Sequence, residues 1–204
     1  MMVIMQNSSR PRSNAKKESH ERIVDAAARA IRRSGYDGTG VADIMKEAGL
    51  THGAFYAHFE SREAMLAEAA DHAGATANAA AAKIVASVPD SQSLQALLQA
   101  YLSKAHIDGI ETGCPVSALG SEMHRQSPEV RRVATRRIKE MIDLVARQLP
   151  EWGQPCAHER ALAIVASMVG TLILARAVDD SVLSDALCNA SLQSLVLPVT
   201  APTD

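Results

Sequence analysis

The chain has 204 residues, enough for a small domain beside a larger one with a sizeable core. It is 47% hydrophobic but only 3% aromatic, so the core is built from Ala, Leu, Val, Ile and Met, a composition that favours helices packed through small side chains. A formal net charge of −2 excludes a uniformly basic nucleic-acid binder, and three widely spaced cysteines argue against a disulfide framework or a zinc site.

The charge is unevenly placed. Residues 1–62 hold ten Lys/Arg and seven Asp/Glu, +3, whereas residues 63–204 hold eleven and sixteen, −5. Met1 to Asn14 is polar and basic, contains Pro11 and lacks an apolar run, so residues 1–15 are expected to form a disordered basic arm and not a signal peptide. Arg10, Arg12, Lys16 and Lys17 suit either contact with a phosphate backbone or simple solubilisation of a frayed end.

The first predicted helix runs from near Glu18 to Ser34, with Ile23, Ala26, Ala27, Ala30 and Ile31 on one face and Gly35 ending it. Val41, Ile44 and Ala48 then recur at helical spacing, and Gly49 stands at C′, where a positive φ ends a helix without a Cβ penalty. Thr51 is placed to cap a third helix, whose Phe55 and Phe59 form an apolar face opposite His52, Gly53, Ala54, Tyr56 and His58. Two short helices joined by such a turn form a helix-turn-helix, a unit that lays its second helix in a DNA groove.

The run Gly35-Tyr-Asp-Gly-Thr39, then Asp43-Ile44, Ala48-Gly-Leu-Thr51, Gly53-Ala-Phe-Tyr56, Phe59 and Ser61-Arg-Glu63 strongly resembles the N-terminal domain of TetR-type transcriptional regulators. The match is continuous from about Glu18 to Glu68; beyond it the chain fits that family only in length and helical pattern. Helix N-termini at Thr51 and Ser61 present amides suited to phosphate, Tyr56 and His58 offer donors, and Arg62 adds a charge. The resemblance assigns these same positions to phosphate contact. Base reading is expected from His52, Gly53 and Ala54, with Ala54 suited to a thymine methyl. An alternative is that Tyr56 packs on the first helix and Gly53 merely relieves crowding. Two departures from the family pattern stand out: Gly40 lacks the usual hydroxyl, leaving Thr39 as substitute, and His52 replaces a usual Lys or Arg. Both lower the fixed positive charge.

Ser61 caps a fourth predicted helix that continues to about Ser87, long enough to act as a lever between domains. Leu94 to Leu102 patterns a fifth helix, Gly113 to Gln126 a sixth, Ser127 to Leu149 a seventh, about Ala157 to Ala177 an eighth and Ser181 to Leu195 a ninth. No strand pattern survives. The expected fold is all-α: a three-helix helix-turn-helix domain at residues 16–62 and a helical ligand-binding and dimerisation domain at residues 63–204. The run Ala161 to Ala175 is too short to span a bilayer and holds Ser167, Gly170 and Thr171, so no membrane is expected and the location is cytoplasmic.

In the second domain Cys114, between Gly113 and Pro115 at a predicted helix start, is placed where helix amides and dipole favour a thiolate. The Gly-Cys opening resembles TetR-family branches that sense electrophiles or oxidants; packing of a small buried Cys is the alternative, and Cys156 and Cys188 read as packing residues. Tyr101, Met141 and Met168, with Leu172 and Ile173, line a ligand cavity or form ordinary core. Glu122/His124 and His158/Glu159 diverge around their helices, so neither a metal site nor a cofactor is expected. Arg131, Arg132, Arg136, Arg137 and Lys139 form a basic face that suits ion pairs or solvent better than a second nucleic-acid surface.

These features imply a DNA-binding regulator that occupies a palindromic double-stranded operator as a homodimer and is released by a small-molecule or reactive effector. Leu162, Val165, Val169 and Leu172 on the eighth helix and Leu183 and Leu187 on the ninth are the expected interface, with Gly170 permitting close approach. A cysteine-dependent enzyme would need a base beside Cys114 that the sequence does not place, and a DNA-architectural protein would not need so large a second domain.

Overall fold

The computed structural model describes residues 10–196, and among them there are helices and no strands. Helix α1 spans Arg10–Ser34, α2 Val41–Glu47, α3 Arg62–Ala86, α4 Asp90–Tyr101, α5 Lys104–Asp108, α6 Pro115–Leu119, α7 Pro128–Ala146, α8 Pro155–Ala177 and α9 Ser181–Val196. Two 3-10 helices, His52–Ala57 and Met123–Arg125, complete the set. The all-α expectation holds. The expected disordered arm is corrected in part: residues 10–15 belong to α1, while residues 1–9 lie outside the described residues. Pro11 sits in the first turn of α1, where its missing N–H has no partner to lose.

One apolar cluster holds the N-terminal unit together. Ile23, Ala27 and Ile31 of α1 meet Ile44 and Met45 of α2, Phe55 and Phe59, and the first half of α3 from Met65 to Ala73. Leu119 of α6 and Val130 of α7 enter the same cluster, so this core continues past residue 62 into the rest of the chain. Tyr36 is wholly buried in it. A second cluster joins α4, α7 and α8 through Leu97, Leu98, Met141, Val145, Ile164 and Met168. Helix α3 therefore links both cores, packing on α1 near its start and on α7 and α4 further along.

The sixth predicted helix is not continuous. After α6 the chain turns through Gly120, and Glu122 reaches back to accept the Tyr36 N–H at 2.9 Å beyond the C-terminus of α1. Helix α5 was not legible in the pattern; Ser103 caps it by accepting the His106 N–H at 3.2 Å.

The expected interface residues divide between two faces. Val165 and Leu172 point into the chain's own core, while Leu162 and Leu183 are exposed. Ile173, Leu174 and Val182 are also exposed, as are Ala163 and Ala166, so the outward apolar face of α8 is rotated from the expected one. Helix α8 has 23 residues and is, among the described residues, the one helix long and apolar enough by length and composition to cross a membrane, which corrects the shorter reading. Its inward side packs on α7 and α9.

Candidate nucleic-acid interface

Helix α2 ends as its sequence dictates. Gly49 takes φ +71°, its N–H donates to Lys46 O at 3.0 Å, and Leu50 N–H donates to Met45 O at 2.8 Å. An L-residue with a side chain is strained at that φ, so the turn is specific to glycine. The chain then enters the 3-10 helix His52–Ala57, tighter than the α-helix expected. Thr51 stands at its N-cap with extended backbone, but its hydroxyl makes no capping bond; the Ala54 N–H is taken by the Thr51 carbonyl at 3.0 Å. Thr51 is exposed, and its hydroxyl makes no hydrogen bond among the described residues.

Phe55 and Phe59 anchor this element. Their rings stack at 5.6 Å, and His20 of α1 stacks on Phe59 at 4.7 Å. The opposite side is open: Tyr56 is 72% exposed, His52 and Gly53 are exposed, and a Cβ built at Gly53 would meet nothing within 4 Å. Tyr56 thus does not pack on α1; its ring meets His52 and Phe55 edge-on, at 6.3 and 5.3 Å. Ala54 is half-buried against the core.

Three of the sequence-predicted contacts are turned elsewhere. Thr39 is buried, and its hydroxyl donates to Gly35 O at 2.7 Å, so it does not replace the hydroxyl missing at Gly40, the uncapped N-cap of α2. The Arg62 guanidinium donates to the carbonyls of Tyr36 and, at 3.2 Å, Thr39, clamping the loop between α1 and α2 onto the start of α3. His58 is half-buried with Nδ1 buried and without a partner; burial first, then neighbouring His20 and Lys16, hold its pKa below the ordinary histidine value. Ser61 caps α3 as expected, accepting the Ala64 N–H at 3.0 Å.

Sequence reasoning missed Arg22 and Lys46. Both are exposed, neither forms an ion pair among the described residues, and the Arg22 guanidinium lies 3.7 Å from where a Gly49 Cβ would stand. The signal was available in the helical register of α1 relative to the turn, but it needs the packing angle of the two helices to be read. Also missed were Arg32, 93% buried and donating to Gly113 O at 3.3 Å, and Arg33, paired with Glu47 and Glu111. These link α1 to the loop before α6.

Beyond α3 lies an apolar cavity of about 180 Å³ walled by α3, α4, α7, α8 and the loop before α6. Tyr101, Cys114, Met141 and Met168 all line it. Cys114 is only 5% exposed and sits before a helix of five residues, a weaker setting for a reactive thiol than the long helix expected. Cys156 is exposed and Cys188 buried. Arg136 and Arg137 pair with Asp71, and Arg137 with Glu140, which accounts for part of the basic face as intrachain ion pairing; Arg131, Arg132 and Lys139 are exposed.

A helix-turn-helix with an open polar face, joined by one long helix to a cavity-bearing helical half, is an architecture suited to a DNA-binding regulator. Residues 23–69 match the family model described as bacterial regulatory proteins, tetR family, and residues 91–186 match that of the LmrA/YxaF-like transcriptional regulator C-terminal domain. The chain is 30% identical over 186 residues, 87% of its length and 93% of the relative's, to an uncharacterized HTH-type transcriptional regulator of Mycobacterium tuberculosis. It is 29% identical to the HTH-type transcriptional regulator LmrA of Bacillus subtilis over 71% of this chain and 77% of that one. A TetR transcriptional regulator from Chloroflexus aurantiacus has a similar structure, with TM-score 0.75 and 26% identity over 89% of this chain and 96% of that one. The chain belongs to the TetR family of transcriptional regulators, and it is not an enzyme.

Proposed function

We propose that this protein is a cytoplasmic repressor that occupies a palindromic operator as a homodimer and leaves it when a small molecule fills the cavity. The observation that carries the reading is the span of α3: it starts beside the DNA-facing 3-10 helix at Ser61 and lines the cavity from Gly74 to Ile84. A ligand that favours a different α3 tilt changes the spacing of two recognition elements, and only such differential binding shifts the equilibrium. The loop before α6 offers a second route, since Gly113 both lines the cavity and accepts from Arg32 of α1.

Within the DNA-facing unit, Tyr56 and Thr51 serve phosphate oxygens, and His52 and Gly53 face base edges, with Ala54 at the margin. Arg22 and Lys46 supply the charge that Arg62 does not. Repression is the sign favoured because occupancy alone blocks a promoter. The outward face of α8 and α9 serves as the dimer interface: Leu162, Ala166, Ile173 and Leu174 form an apolar strip, and a Cβ at Gly170 would meet nothing within 4 Å among the described residues.

Selection of bound duplexes from a random pool tests this. Two inverted half-sites about one helical turn, 34–36 Å, apart or a multiple of it are expected. A single unrepeated site would overturn the dimeric reading. An electrophile acting at Cys114 is a second reading, favoured by the thiol's place in the cavity wall; its burial and the exposed Cys156 support the reversible ligand instead.

A further inference from the structure

Three ties join the C-terminal end of α1 to the segment between α5 and α7. Arg33 pairs with Glu111 at 2.9 Å, the Tyr36 N–H donates to Glu122 at 2.9 Å, and the Arg32 guanidinium donates to Gly113 O at 3.3 Å. The first is exposed on both sides and screened by solvent. Of the three acceptor residues only Gly113 also belongs to the cavity wall, where Thr112, Cys114 and Pro115 stand beside it.

Arg32 is poorly satisfied for its depth. It is 7% exposed, its Nε is buried without a partner, and its bond to Gly113 O is long. Asp25 and Glu111, the carboxylates that act on it through space, pair with Arg29 and Arg33 instead. A guanidinium carries five donors, and one long bond does not offset the cost of taking it out of water. Fold stability therefore gives little reason for an arginine here. What the contact does supply is a direct link from a cavity residue to α1.

Gly113 has no slack on its other side. It is not among the glycines at positive φ, yet a Cβ there would stand 2.7 Å from His106 Nε2 and Cδ2 and 2.9 Å from Gly109 O. The His106 ring is itself fixed, Nδ1 donating to Tyr101 O at 2.6 Å and Nε2 accepting the Cys114 N–H at 2.9 Å. A group in the cavity that displaces this loop thus displaces the Gly113 carbonyl. At the far end of the link, Arg29 and Arg33 tie α1 to Glu47 of α2, both at 3.1 Å, so a shift of α1 carries α2 and the turn at Gly49 with it.

Resting on the effector reading above, we infer that Arg32 is a positioning residue: through Gly113 O it couples the cavity wall to the orientation of α1 and of the helix-turn-helix packed on it. Movement of the loop breaks the Arg32 bond, and α1 loses the tie that holds it in its DNA-competent position.

A double-mutant cycle on operator binding tests this with no ligand present. Gly113→Ala stands in for a filled cavity, because its methyl group drives the loop away from His106 and Gly109 O. Binding to a selected operator duplex is read by fluorescence anisotropy of the full chain, well below each variant's melting midpoint, where a purely structural role does not register. Gly113→Ala should weaken binding about tenfold, within the usual range of allosteric coupling. Arg32→Met, of similar length and without the charge, should show the same loss, and the double variant no more than about twofold beyond either. In an Arg33→Ala background the tenfold effect of Gly113→Ala should persist. Arg32→Gln takes the place of Arg32→Met if the latter does not melt cooperatively. Losses that multiply to about a hundredfold in the double variant, no effect of Gly113→Ala, or an effect abolished by Arg33→Ala instead, each overturns the inference. Because the cycle uses no ligand, a multiplicative result refutes the part of Arg32 and leaves release by a cavity ligand standing.

Discussion

Replacing Arg62 by Ala distinguishes a structural clamp from a phosphate contact. The guanidinium is half-buried and donates to two carbonyls of the loop between α1 and α2, those of Tyr36 and Thr39. Hydrogen bonds from a charged donor contribute about 1.5–3 kcal/mol each, less where water reaches them, so Arg62→Ala should cost about 2 kcal/mol. For a chain of this size that lowers the thermal midpoint by about 4–8 °C at fixed protein concentration. Operator affinity, measured well below the midpoint, should fall modestly and its dependence on salt should keep the same slope. A lost phosphate contact would instead reduce the slope of log K against log salt by about 0.9. Scanning calorimetry and fluorescence titrations at several salt concentrations read both quantities. An unchanged midpoint with a slope reduced by about one would refute the clamp and restore Arg62 to the DNA surface.

Tyr56→Phe should weaken binding to all duplexes alike, whereas His52→Lys should strengthen nonspecific binding and change the preferred site; competition against a duplex library reads both. Ala166→Arg, at an exposed position on the outward face of α8, should yield a folded monomer with sharply reduced operator affinity, checked by sedimentation. Acidification below neutral pH should lower stability. Burial depresses the pKa of both His58 and His106, so the unfolded chain binds more protons; this stability is complete above the unfolded value near 6.5 and is lost as pH falls through the lower folded values. His106→Asn should flatten that part of the melting profile. Brief maleimide treatment should modify exposed Cys156 before buried Cys114, by addition of the thiolate sulfur across the C=C bond with solvent supplying the proton to carbon; mass spectrometry showing Cys114 first would favour the electrophile reading.

What the sequence disclosed depended on the range of the interaction. Local rules placed Gly49 at its positive φ, Ser61 at the cap of α3, and the Phe55/Phe59 anchor, because each is settled within four residues. Periodicity placed Tyr101, Met141 and Met168 on inward faces, and all three line the cavity with Cys114. Thr39 and Arg62 read as DNA contacts because a hydroxyl and a guanidinium near a helix-turn-helix suit phosphate. Their inward partners are backbone carbonyls, which have no sequence signature. The same limit hid Glu122, whose carboxylate takes a backbone amide 86 residues away.

The outward face of α8 shows how a small angular error has a large consequence. With 100° between successive residues of a helix, Leu162, Val165, Val169 and Leu172 lie on one broad stripe, but of these Leu162 is exposed while Val165 and Leu172 are buried on the face turned to this chain's own core. The choice between that face and the one carrying Leu162, Ala166 and Ile173 depends on where α7 and α9 lie, and both stripes are apolar. A helix apolar all round has to be covered on every side. One side of α8 is covered by this chain, so the apolar residues that remain outward are the positions at which a second copy is to be sought.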